Sequence, residues 1–69
     1  MTAQERAIDL YRMYYESLWY QDEQSRMLNA KESALIAVEF AREFITGDLN
    51  EKFDKFIYLQ DIKEQIENL

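Results

Sequence analysis

The chain has 69 residues, with 14 acidic and 8 basic side chains and a net charge of −6 at neutral pH. This charge opposes attraction to phosphate backbones and to anionic membrane surfaces, so we expect neither nucleic acid nor a membrane as a partner. The chain contains no Cys and no His. Disulfides are therefore excluded, the usual zinc ligands are missing, and so are the commonest nucleophile and general base. We predict a non-enzyme with no catalytic residues, cofactor or metal.

A single domain spanning residues 1–69 is close to the size at which one core supplies only about 3–5 kcal/mol of net stability. The hydrophobic fraction of 48% is typical of a packed chain rather than a disordered one. Because disulfides and zinc are not available, self-association is the remaining common source of stability, and we predict a homo-oligomer. No apolar run is long enough for a membrane span or a signal peptide, which favours a cytoplasmic location.

The first segment predicts a helix that begins at Thr2. Glu5 follows Thr2 at the spacing of a capping box. The residues that fall on one side of this helix are largely aromatic, and the aromatic set is Tyr11, Tyr14, Tyr15, Trp19 and Tyr20. We expect these rings to pack in the core with their hydroxyls at its rim; contact with a partner and stacking on a ligand are the alternatives.

The longest apolar-rich run, Ala30–Ile45, predicts a buried helix around which the rest of the chain packs. We expect the complete helix from about Glu23 to Thr46, with Gly47 as its C-terminal cap and Asp22 or Ser25 as its N-terminal cap. Its apolar residues cover an arc of about 200°, wider than the stripe of about 100° on a typical surface helix. Part of this arc is therefore expected to remain uncovered in a single chain and to contact a partner.

Two other sets of residues complete the pattern of this helix. Small residues form one line along which a neighbouring helix can approach closely, and they are Ala30, Ala34, Ala37 and Ala41. Three carboxylates form an acidic ridge on the polar side: Glu32, Glu39 and Glu43. We interpret the ridge as hydrated surface rather than a metal site, because no His and no second carboxylate-rich helix faces it.

The third segment is expected to begin near Asp48 or Asn50, and its apolar pattern changes direction partway along. The residues of its first half share one direction: Leu49, Phe53, Phe56 and Ile57. Those of its second half share another, rotated by roughly 140°: Leu59, Ile62, Ile66 and Leu69. Either the helix bends or breaks near Tyr58, or one continuous helix packs its two halves against different partners. The predicted fold is an all-α bundle of three helices.

Candidate site residues follow from these patterns. For the oligomer interface we predict apolar residues of the second and third helices: Leu28, Leu35, Ile36, Phe40, Leu59, Ile62 and Ile66. For a ligand that carries phosphate or carboxylate we consider the basic residues and nearby aromatics: Arg12, Tyr15, Trp19, Arg26, Lys31 and Arg42. Basic residues also flank apolar helix–helix contacts without binding any ligand, and this is the commoner explanation for basic residues beside an apolar face.

Three segments, MTAQERAIDLYRMYY, AKESALIAVEFA and YLQDIKEQIENL, resemble in this order a group of short uncharacterised proteins of bacteriophage and prophage genomes. Members typically carry MTAKEKA, AKQCALIAVDEI and YWQEVKQEIEKL-like segments. The resemblance covers about half of the chain, and ALIAV at residues 34–38 is its most distinctive part. This chain departs from the group at Ser33, Phe40 and Leu59, where the group has Cys, an acid and Trp. The resemblance implies a small phage protein in the bacterial cytoplasm, without implying a chemistry.

Three functions are compatible with this reading. The first is a phage accessory protein that binds a host protein, as in counter-defence or modulation of a host enzyme, through exposed apolar surface. The second is an oligomeric binder, or sponge, of a small nucleotide signal. The third is an acidic mimic of nucleic acid, which requires a continuous negative face without interspersed Lys and Arg.

Overall fold

The computed structural model describes residues 2–69, which form three α-helices in a bundle. The helices are α1 (Ala3–Ser17), α2 (Glu23–Arg42) and α3 (Leu49–Glu67). Each helix packs against the other two, and residues 2–69 contain no strand. The predicted all-α fold with three helices is confirmed.

All three helices begin at side-chain caps that the sequence predicts. In α1 the Thr2 hydroxyl accepts a hydrogen bond from the Glu5 N–H at 3.1 Å, and the Glu5 carboxylate accepts one from the Thr2 N–H, which completes the capping box. The Asp22 carboxylate caps α2 and the Asp48 carboxylate caps α3, each by accepting from a backbone N–H three residues later. These contacts satisfy N–H groups that have no partner inside the helix.

The end of α2 differs from its predicted position at Thr46, since the helix ends at Arg42. The N–H groups of Glu43 and Phe44 donate to carbonyls only three residues earlier, both at 3.1 Å, which tightens and ends the last turn. Gly47, with a φ of 120°, lies in the link just before α3 and does not cap α2.

Residues 49–67 form one continuous helix, so the alternative of a bend or break near Tyr58 is wrong. Whether its two halves pack against different partners stays a prediction. Ile62 and Ile66 are buried in the core, while Leu49 and Phe53 in the first half are exposed. The change of apolar direction reflects two faces of one helix, and most of the face on its first half remains exposed.

The core is small and consists mainly of short side chains. Its buried apolar residues are Ala7, Ala30, Ala34, Val38, Ile62 and Ile66. Ala30 and Ala34 have no exposed surface, as the predicted small-residue line requires, whereas Ala37 is half-buried and Ala41 is exposed. The predicted line of small residues is therefore buried only in its first half.

The molecule is elongated, with principal extents of 44 × 19 × 16 Å. Its radius of gyration is 13.0 Å, whereas a compact domain of this length has a radius of about 11 Å. Among residues 2–69, none of the helices combines the length and the apolar character needed to cross a membrane.

Candidate protein-binding surfaces

Apolar side chains form three separate exposed surfaces. The α1–α2 groove is lined by Tyr14, Ser33, Ile36, Ala37 and Phe40. The α3 face consists of Leu49, Phe53, Phe56 and Ile57. The aromatic turn consists of Trp19 and Tyr20, in the link between α1 and α2. These surfaces are candidates for contact with other proteins, because large apolar patches on a soluble domain are commonly interaction sites.

The α1–α2 groove is a concavity of about 390 Å³ between two antiparallel helices. Its most prominent side chains are Ile36 and Phe40, which are 61% and 62% exposed. Phe44 is also exposed, and the Phe40 and Phe44 ring centroids are 4.8 Å apart. Ile36 and Phe40 thus form an apolar ridge along the α2 wall of the groove, and Phe44 packs beside Phe40 just beyond the end of α2.

The acidic ridge runs along α2 beside this apolar row. Glu32 and Glu43 are exposed, and their positions on the helix lie within about 60° of Ile36. Glu39 lies on the side that faces α3, where its carboxylate is 3.7 Å from the Lys63 ammonium. A basic residue therefore interrupts the negative surface on the α3 side, whereas none of the residues lining the groove is charged.

The α3 face lies on the first half of α3. Leu49 is 83% exposed and Phe53 is 63% exposed, while the Arg42 guanidinium lies 4.7 Å from the centroid of the Phe56 ring and partly covers it. Ile57 is 44% exposed. Sequence reasoning placed these residues on one face but did not include them in the interface, although the change of apolar direction at residue 58 was a signal for it.

The aromatic residues of the first segment divide into two groups. Tyr14 packs against the core, and Tyr11 and Tyr15 are half-buried with stacked rings 5.8 Å apart, as expected for core-rim residues. Trp19 and Tyr20 are 75% and 66% exposed and form an edge-to-face pair at 6.2 Å. The core expectation therefore describes the aromatics of α1 but not those of the aromatic turn.

Among the predicted ligand-binding residues, the structure brings one pair together. The Arg26 guanidinium lies 3.8 Å from the centroid of the Tyr15 ring, and its Nε donates to the Tyr15 carbonyl at 2.5 Å. This stacked and hydrogen-bonded arginine joins the start of α2 to the end of α1. The contact accounts for both residues as parts of the fold.

The other predicted binding residues lie apart from this pair. The Lys31 ammonium donates to the Glu67 carbonyl at 2.7 Å, where it meets the C-terminal end of α3. Arg42 is held over Phe56, and Arg12 is exposed on α1. Within one chain the basic residues do not converge on a common pocket, and a nucleotide site built from them would need contributions from several chains.

The predicted interface residues also divide by exposure. Leu28, Ile36 and Phe40 are each more than 60% exposed, so they are accessible to a partner. Leu35 and Leu59 are half-buried against the core, and Ile62 and Ile66 are fully enclosed by the chain itself. The second half of α3 faces α1 and α2, which removes the last two residues from any surface contact.

A second concavity of about 260 Å³ opens where the three helices meet. Its wall is mostly apolar, with Arg6 and Tyr58 as its polar members: Arg6, Leu10, Ala37, Val38, Ala41, Tyr58, Leu59 and Ile62. The space results from the small side chains at positions 37 and 41. Residues 2–69 hold no group of three or more acidic side chains placed to bind a metal ion.

Comparison with known proteins adds no family to these observations. No protein-family model matches the chain, and neither a curated protein nor a solved structure is significantly similar to it.

Proposed function

We propose that the chain is a non-catalytic phage accessory protein that binds a host bacterial protein and that works as a homo-oligomer. The resemblance to short phage proteins supports the setting, which is the cytoplasm of an infected bacterium. The distribution of apolar side chains supports the mode of action, which is contact between protein surfaces.

The observation that carries the proposal is the imbalance between core and surface. Within residues 2–69, six apolar residues are buried and three of them are alanines, whereas fourteen large hydrophobic side chains are exposed. Single exposed hydrophobic residues are normal on proteins, but clusters of aromatic and aliphatic side chains are typical of binding sites. This pattern supports a role in binding other proteins.

The surface area supports self-association through the α3 face. The chain exposes 5106 Å², whereas a folded monomer of this mass exposes about 4,600 Å². We assign the α3 face to a second copy of the chain.

In an antiparallel pair of α3 helices, the α3 face of one copy packs against the α3 face of the other. The residues of the α3 face recur at three- and four-residue spacings over two turns, so Phe53 of each copy lies near Phe56 of its partner when the helices cross at residues 54–55. Such a contact is isologous and closes on itself, which avoids open-ended assembly. The α1–α2 groove and the aromatic turn remain free for the host protein.

Site-specific photo-crosslinking in host cells tests the proposal. A photoreactive amino acid is placed at position 19 in the aromatic turn, at position 40 in the groove, or at position 61, an exposed polar position on α3. We expect a single host protein to be captured from position 19 or 40 and to bind the purified wild-type chain, with no such product from position 61. If neither position 19 nor position 40 captures a host protein, the proposal is contradicted.

A further inference from the structure

The α1–α2 groove has the shape of a site for one more helix. It is lined by four residues of α2 and by Tyr14 of α1, and its apolar ridge consists of Ile36 and Phe40, four residues apart. These two side chains lie about 6 Å apart along α2, which corresponds to about one turn of a helix lying alongside. Ridges of this spacing pack between the side chains of a neighbouring helix, and helix-in-groove binding uses anchors at the same spacings.

The charges beside the groove select the kind of helix. Glu32 and Glu43 border the apolar ridge, and the groove itself contains no charged side chain that would neutralise them. A helix with apolar anchors on one face and Lys or Arg beside them complements both features.

We infer that the α1–α2 groove binds a basic amphipathic helix of the partner protein, with its apolar face on Ile36 and Phe40 and its basic residues against Glu32 and Glu43. This inference rests on the proposed function and specifies the chemistry of the partner. The serine at position 33 and the alanine at position 37 leave room for the partner's anchors, since larger residues there would fill the groove.

Two model peptides test the inference with the full chain. Both are 18-residue helices with Leu at every third or fourth position; one carries Lys at the remaining positions and its twin carries Glu. Fluorescence anisotropy of the labelled peptides at physiological salt measures their dissociation constants. We expect the Lys peptide to bind at least about 10-fold more tightly than the Glu peptide, because opposite charges favour the former and like charges oppose the latter.

Matched variants separate groove binding from general charge attraction. Phe40→Ser in the groove is compared with Phe53→Ser on the α3 face, where the exposed fraction differs by only one percentage point. We expect Phe40→Ser to weaken binding of the Lys peptide by about 10-fold or more and Phe53→Ser by less than about 2-fold, because anchor residues dominate such interfaces. Glu43→Lys is compared with Asp61→Lys, which changes the net charge equally on α3, and only the former is expected to weaken binding several-fold.

Amide chemical shifts of α1 and α2 give an independent readout. Addition of the Lys peptide is expected to shift the resonances of residues 33–40 in the wild-type chain and to leave those of residues 49–57 in place. Equal affinity for the two peptides, or equal losses for Phe40→Ser and Phe53→Ser, overturns the inference. If a host protein is still captured by crosslinking while the peptides fail, the proposed function stands and only this assignment of the groove is wrong.

Discussion

Gly47 has a backbone conformation that disfavours any residue with a side chain at this position. Its φ of 120° lies in a region that residues with a Cβ rarely adopt, and an added Cβ would also press against the Glu51 side chain. We therefore expect Gly47→Ala to lower the free energy of unfolding by about 1–3 kcal/mol. Urea unfolding followed by circular dichroism measures this change.

Thr46→Ala is the matched control for this substitution. Position 46 is exposed, and its carbonyl, which accepts from the Lys55 ammonium at 2.7 Å, is retained in the variant. We expect a change within about 0.5 kcal/mol, as for most surface substitutions. If the two variants lower the free energy of unfolding equally, position 47 tolerates a Cβ, which would contradict the positive φ of Gly47.

The Asp22 carboxylate at the start of α2 is expected to make the stability of the chain depend on pH. Hydrogen bonds from the Ser25 backbone N–H and then from its hydroxyl hold the pKa of the Asp22 carboxyl below its ordinary value of 3.8. Because this pKa is lower in the folded chain, the stabilisation by ionised Asp22 is fully present above the unfolded value and is lost as the pH falls through the folded value.

Carboxyl NMR titration measures this shift directly. We expect Asp22 to titrate below 3.8 in the folded chain and its pKa to rise in the Ser25→Ala variant, which retains the backbone N–H but lacks the hydroxyl bond of 3.1 Å. An Asp22 midpoint at or above 3.8 in the wild-type chain would contradict the cap geometry.

At the level of the helices, α3 combines a core half and an exposed half. Ile66 has no exposed surface and Ile57 is 44% exposed on the same helix. Ile66→Ala is expected to destabilise the fold by about 2–5 kcal/mol, comparable with the whole stability of a domain of this size, so most of the helical signal is lost. Ile57→Ala should retain the helical circular dichroism signal and weaken self-association instead. Loss of helix in both variants would show that the first half of α3 also packs within the chain.

The sequence predicts the helix starts well because capping is local. Thr2, Asp22 and Asp48 each precede an N–H that their side chains reach within one turn, and no distant residue is needed. The end of α2 was not predictable in this way, since the last turn tightens at residues 43–44 without any breaker. The apolar pattern of α3 predicted two faces but not whether the backbone between them bends, because both arrangements place the same residues on the same faces.

The candidate site was predictable only where burial could be inferred from periodicity. The wide apolar arc of α2 correctly predicted that Ile36 and Phe40 remain exposed. Ile62 and Ile66 are expected at an interface from the sequence, but they are buried in the core. Which of the two apolar faces of α3 meets the core depends on how the helices pack, and a single sequence does not specify this packing. The sequence does not reveal that Arg26 and Lys31 are held by contacts within the chain. Their partners are the Tyr15 and Glu67 carbonyls, which are backbone groups without a sequence signature.

At the scale of the whole molecule, a small core accompanies a large apolar surface. Alanines occupy half of the buried positions in the bundle, while most of the large hydrophobic side chains remain exposed. This arrangement leaves two apolar faces exposed, and we propose that the α3 face binds a second copy and that the α1–α2 groove binds a basic helix. Assembly is thus expected to contribute to stability, which should rise with protein concentration.

Light scattering coupled to size-exclusion chromatography tests the central claim most directly. At micromolar concentration the wild-type chain is expected to have a mass of at least twice the 8.4 kDa of a single chain. Phe53→Ser should shift the mass towards that of a single chain, because it places a polar side chain in the middle of the α3 face, whereas Phe40→Ser should leave the mass unchanged. A folded wild-type chain that elutes with a mass of 8.4 kDa would contradict the account.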